Sequence, residues 1–193
     1  MYKKEIKVLD CTVRDGGLMN KWQFSDEFVK GVYDACVEAG IDYMEIGYKS
    51  SERAFSRKEM GPWKFCDDKD IRRIVGEGEP GVKLSAMCDI GRIDFDDIPP
   101  KSESAISMMR VACYVHQMDK AIALAHHCMD KGYETTINLM AVSKVNEHDL
   151  DEALNDASKS RVPVFYLVDS FGSMHCESTE HLMKKYSEAM PNK

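Results

Sequence analysis

The sequence predicts an α/β fold, a (β/α)8 (TIM) barrel of which about six βα units are present. Three observations carry this. Strand-length apolar runs alternate with helical periodicity along all 193 residues, with no hairpin signal between them. Each strand carries a polar or charged group near its carboxyl end, as in a barrel whose strand tips ring one mouth. The series stops at six strands, whereas a barrel needs eight and typically ~250 residues. A doubly wound sheet would also hold six strands, but it would gather only the groups at its switch point. Residues 1–193 therefore read as a single barrel domain, incomplete at its C-terminal end.

The elements follow in order. Glu5–Thr12 is an apolar run read as the first strand. Ser25-Asp26-Glu27 starts a helix with acidic residues in its first turn. Phe28, Val32, Ala35, Cys36 and Ala39 keep its spacing, and Gly40 stops it. Ile41–Gly47 is the second strand, followed by a helix near Asp67–Val75. Val82–Asp89 is the third strand, and Gly91–Ser102 is a loop punctuated by Pro99-Pro100. Ala105–Tyr114 is the fourth strand, before an alanine-rich helix over Gln117–Lys131 that Gly132 ends. Glu134–Val142, a helix over Glu147–Ser158, Val162–Asp169 and a helix over Glu177–Ala189 complete the series.

Composition narrows the function. Apolar residues at 44% and charged residues at 31% describe an ordinary globular chain. A net charge of -7 gives no footprint for nucleic acid or an acidic membrane surface. No apolar run approaches the ~20 residues of a membrane span. Met1-Tyr2-Lys3-Lys4-Glu5 leads toward the first strand without a signal-peptide core. The seven cysteines include no CxxC pair, which argues for reduced thiols in a cytoplasmic protein and against a zinc cluster.

The residues richest in chemistry are Arg14-Asp15-Gly16-Gly17, at the end of the first apolar run. A fixed cation beside a hard oxygen ligand suits work on a metal-bound keto or carboxylate oxygen. The glycines are expected to turn the backbone sharply there, so that neighbours of opposite parity reach one site. Strand parity puts Met44 and Ile46, Leu84 and Ala86, Met109 and Val111, Ile137 and Leu139, and Val164 and Val168 on the helix-facing side. The other side ends in Glu45, Asp89, Arg110, Asn138 and Asp169. Each has a plainer reading. Arg14 and Asp15 make a structural ion pair at a strand end, Glu45 and Arg110 pair inside the barrel, Asn138 fills a layer, Asp89 caps a turn, and Asp169 is solvent-exposed. His116 and His175 lie near the mouth, while His126 and His127 point about 100° apart on one helix and cannot chelate. Gly16-Gly17 opens no phosphate loop.

Leu9-Asp10-Cys11-Thr12-Val13-Arg14-Asp15-Gly16-Gly17 resembles the signature strand of the DRE-TIM metallolyases. Tyr43-Met44-Glu45-Ile46-Gly47 is similar to the second strand of that superfamily, and Val168-Asp169-Ser170-Phe171-Gly172-Ser173-Met174 to its sixth. The resemblance implies a divalent metal, magnesium or manganese, on Asp15. It also implies that Arg14 stabilises the enolate formed as a carbon–carbon bond is made or broken. Two departures stand out. The His-x-His pair that completes the family's metal site on strand seven is missing here. Leu18 stands where aldolase members carry a histidine base, and the glutamine of the acyl-CoA synthases is absent too.

The expectation is a metal-dependent aldolase-type lyase for a small 2-oxo acid. Arg14 and Asp15 are catalytic, Asp15 is the metal ligand, and Glu45, Arg110, Asn138 and Asp169 shape the substrate pocket. A Claisen-type acyl-CoA synthase and a catalytically inactive binding module are the alternatives. The 193-residue chain by itself is expected to lack activity, and its open strand edges favour a homodimer.

Overall fold

A computed structural model describes residues 6–191 and 193, so Glu5, the expected start of the first strand, lies outside the described residues. Six parallel strands stand in chain order: β1 (Leu9–Asp10), β2 (Tyr43–Tyr48), β3 (Lys83–Asp89), β4 (Ile106–Cys113), β5 (Glu134–Leu139) and β6 (Val164–Leu167). Each pairs with its sequence neighbour, which gives a curled half-barrel. Helices α1 (Thr12–Asn20), α2 (Asp26–Glu38), α3 (Asp68–Val75), α4 (Met118–Asp130), α5 (Glu147–Lys159) and α6 (Cys176–Ala189) connect or follow the strands. No helix among the described residues is long and apolar enough to cross a membrane.

The outer strand face is the helix-facing core. Met44, Ile46, Leu84, Ala86, Met109, Val111 and Ile137 are all fully buried. Val29 and Cys36 of α2, Ile71 of α3, Ala121 and Cys128 of α4, and Leu154 and Ala157 of α5 belong to the same cluster. All seven cysteines are free thiols, and five are buried.

Three local expectations change. First, the Arg14-Asp15-Gly16-Gly17 segment is helical, not the tail of a strand. Asp10, one residue before the N-cap Cys11, folds its carboxylate over the first helical residue just after β1. Its carboxylate accepts from the Thr12 amide at 3.0 Å and the Thr12 hydroxyl at 2.7 Å. The glycines do not make a turn. Gly17 exists for close approach, since a Cβ there would lie 2.0 Å from the Trp22 ring.

Second, β2 carries a bulge. Glu45 sits beside Ser85, but Gly47 sits beside Ala86 and Tyr48 beside Met87. The extra residue brings Tyr48 to the same inner face as Glu45, although they are three apart. Gly47 permits this because a Cβ would lie 2.0 Å from the Trp63 carbonyl oxygen.

Third, β6 has the opposite parity. Val164 pairs with Thr136 and Tyr166 with Asn138, so Val164, Tyr166 and Val168 face inward. Phe165, Leu167 and Asp169 therefore face out. An unbroken apolar run carries no alternation from which its register could be read.

Gly17→Ala should lower stability by about 1–3 kcal/mol through overpacking against Trp22. Gly31→Ala, on the exposed side of α2 with open space around its Cβ position, should raise it by about 0.5–1 kcal/mol. Urea unfolding of the two variants checks this. A neutral Gly17→Ala would remove the close-approach argument.

Candidate active site

A cavity of about 590 Å³ opens at the carboxyl ends of the strands, within the usual size for a small-molecule site. Arg14 and Asp15 line it from just beyond β1, Tyr48 from β2, Met87 and Asp89 from β3, and Ala112 from β4. Asn138 and Met140 come from the end of β5, and Val168 and Ser170 from beyond β6. All six strand tips thus contribute to one wall.

Beneath that wall lies a buried charge cluster. Glu45 is fully buried, and its Oε2 accepts from Arg14 Nε at 2.7 Å and from Arg110 Nη1 at 2.8 Å. The Cys11 thiol reaches the same oxygen at 3.4 Å. Burial and the nearby Glu45 charge push that thiol up to about 11, so it stays protonated. Burial works to lower the pKa of Arg14, but the Glu45 carboxylate overrides it and the net shift is upward. Arg110 also lies over the Tyr166 ring at 4.5 Å.

Arg14 is held from a second side. The Trp22 indole donates to its backbone carbonyl at 2.9 Å. Its Nη1 donates to Asp15 Oδ1. Asp15 Oδ2 accepts no hydrogen bond among the described residues, so a hard oxygen remains available at the cavity. Among the described residues no acid, histidine or thiol joins Asp15 in a three-ligand cluster. The one such cluster among the described residues, His148, Asp149 and Glu152, is exposed on α5. A single carboxylate fits a divalent ion of the magnesium type that keeps most of its water.

The pocket residues expected from sequence separate by depth. Asn138 reaches the cavity wall. Glu45 and Arg110 come together below it, outside the cavity lining. Asp169 faces away. It accepts from Ser143 Oγ at 3.0 Å and from the Met174 amide at 2.8 Å, and these bonds hold its carboxyl below the usual range. Its part is to close the turn after β6. None of the six histidines lines the cavity: His126 accepts from the Arg161 amide, His127 bonds the Phe95 carbonyl, and His116 and His175 stand outside.

Sequence reasoning missed Tyr48 and Arg92, both on the cavity wall. Gly47 inside a strand was the available signal for the bulge that turns Tyr48 inward. Burial and the neighbouring Asp89 push the Tyr48 hydroxyl up to about 12. Arg92 pairs with Asp89 at 3.0 Å, a contact of a loop residue that no periodicity marks.

Glu45→Gln leaves two buried guanidiniums without a counter-charge and should cost about 3–5 kcal/mol in chemical unfolding. Asp89 titrates in the opposite sense to most carboxylates. Burial raises its pKa, with Arg92 opposing, so the folded chain keeps this proton where the unfolded chain has released it. Its contribution to stability therefore falls as pH rises from about 4, the ordinary carboxylate value, through the raised one. The stability of Asp89→Asn relative to the native chain should grow across that window, and a flat difference would refute it.

No family model matches the chain. It is 25% identical over 191 residues to oxaloacetate decarboxylase of Mycobacterium tuberculosis, covering 97% of this chain and 53% of the relative. It is 27% identical over 191 residues to 4-hydroxy-2-oxovalerate aldolase of Thermus thermophilus, covering 95% and 52%. The chain spans about half the length of the curated relatives it matches. Among solved structures, the N-terminal domain of a candidate aldolase from Bacteroides vulgatus superposes with a TM-score of 0.75 at 27% identity, covering 95% of this chain and 60% of that one. The carboxyl transferase domain of Rhizobium etli pyruvate carboxylase shares the fold, with a TM-score of 0.71 at 13% identity over 98% and 35% of the two chains. With the Arg14-Asp15 motif at the mouth of a parallel half-barrel, these relatives support the resemblance of the chain to the DRE-TIM metallolyase superfamily.

Proposed function

We propose that this chain forms the enolate-stabilising part of a metal-dependent aldolase-type lyase site for a small 2-oxo acid. The observation that carries the reading is the placement of Arg14 and Asp15 side by side on a cavity wall to which every strand tip contributes. Named relatives include a 4-hydroxy-2-oxovalerate aldolase and an oxaloacetate decarboxylase. Cleavage of the C3–C4 bond, one carbon removed from the 2-oxo group, releases acetaldehyde from the first substrate and carbon dioxide from the second, and leaves the same enolate of pyruvate in both cases. One pocket that steadies that enolate serves both reactions.

In this reading Asp15 holds the divalent ion, magnesium or manganese. The ion, when bound, supplies Lewis-acid polarisation of the keto oxygen. Arg14 offers the remaining donors of a planar, permanently charged guanidinium to the developing oxyanion. Glu45 keeps that guanidinium oriented before substrate arrives, so no reorganisation is needed as charge develops. Asn138 offers an amide to the substrate's polar end, and Met87, Ala112, Met140 and Val168 exclude water from the other side. Tyr48, with its high pKa, keeps its proton and can donate a hydrogen bond into the cavity.

Asp15→Asn should weaken manganese binding by roughly tenfold or more in calorimetry on the folded chain. Equal affinity in the two proteins would remove Asp15 as the ligand and the lyase reading with it.

A further inference from the structure

Lys64 ends a single helical turn over Pro62–Lys64, between β2 and α3. Its side chain is only 1% exposed, yet its ammonium forms no hydrogen bond and no ion pair among the described residues. Three aromatic rings surround it instead. Nζ lies 3.9 Å from the Tyr48 ring centroid, 4.1 Å from that of Trp22 and 4.2 Å from that of Phe55. The rings come from three separate segments, so the charge is their common point.

Each ring bears on the cavity. Trp22 donates to the Arg14 carbonyl and packs edge-on against Tyr48, with centroids 5.2 Å apart. Tyr48 is itself part of the cavity wall. Phe55 carries a second cation, the Arg92 guanidinium at 5.8 Å, and Arg92 lines the same wall. A methionine would fill the same space without the cost of burying a charge. The amine at this position therefore calls for a reason other than packing.

We propose that Lys64 is a positioning residue whose ammonium pins Trp22, Tyr48 and Phe55 together and so sets where Arg14 and Arg92 stand on the cavity wall. The force is the attraction between a cation and the negative faces of the rings, which grows as the cation loses its water. It lasts only while the amine is protonated. Burial draws that proton affinity down to about 8; Asp89 on β3 and Cys66 pull it up, and Arg92 in the loop after β3 pulls it down. The ring faces also favour the charged form and work against the fall. Tyr48, the other titratable group in contact, stays neutral throughout this range. Above the amine's pKa the pin is released, and the Arg14 wall loosens with it.

The test needs neither substrate nor metal, so its outcome is separate from that of the lyase reading. The chain has two tryptophans, and each indole N–H gives one nitrogen–proton NMR cross-peak. Between about pH 7 and 10 the Trp22 peak should move in the native chain, with a midpoint below the ordinary lysine value. It should stand still in Lys64→Met, which lacks the amine, and in Lys64→Arg, which stays charged. The Arg14 Nε–H, protected against Glu45, should exchange at least about tenfold faster in Lys64→Met and recover in Lys64→Arg. A Trp22 peak that does not titrate in the native chain, or one that moves equally in Lys64→Met, overturns the proposal. So does unchanged Arg14 exchange. If Lys64→Met does not fold, the native titration and the Lys64→Arg chain still decide.

Discussion

One oxygen organises the inner face of this half-barrel. Glu45 Oε2, itself fully buried, receives two guanidiniums at hydrogen-bond distance, from the part-buried Arg14 after β1 and from the buried Arg110 on β4. Burying three charges is costly, and attraction among them offsets that cost only when the geometry holds. The cluster therefore ties the first βα unit to the fourth strand. It also fixes the direction in which Arg14 points. The cation at the cavity is consequently part of the fold's electrostatic balance before any ligand is present.

The helical start of α1 explains how neighbours in sequence divide two tasks. On a strand, adjacent side chains face opposite sides. On a helix they diverge by about 100°. Arg14 can thus turn inward to Glu45 while Asp15 remains 57% exposed at the cavity, and the two still touch. The helix starts almost immediately after a two-residue strand, with the Asp10 carboxylate bonded to its first residue, Thr12.

Much of this was legible in the sequence, and the exceptions have physical causes. The alternation of strand and helix and the apolar face of Met44, Ile46, Leu84 and Met109 follow from periodicity alone. The Glu45–Arg110 pair was readable as two opposite charges on one face. Helix α1 was not, because Gly16 and Gly17 look like a turn until Trp22 is seen packed onto Gly17. Val164 and Val168 gave no alternation to set their parity, and Asp169 was misplaced with them. Tyr48 depended on a one-residue bulge, which reverses every inside–outside assignment beyond it. The Lys64 enclosure draws on residues 22, 48, 55 and 64, and contacts between segments so far apart have no local signature.

The sheet's order repeats the order of the chain, from β1 to β6. Each strand meets a partner that emerged just before it during synthesis, so no pairing waits for a distant segment. Loop closure is never longer than one crossover, which keeps its entropic cost small. A ribosome releasing this chain can therefore deposit one βα layer at a time onto a standing edge. The salt link from Arg14 to Arg110 through Glu45, by contrast, must wait until the fourth strand has left the exit tunnel.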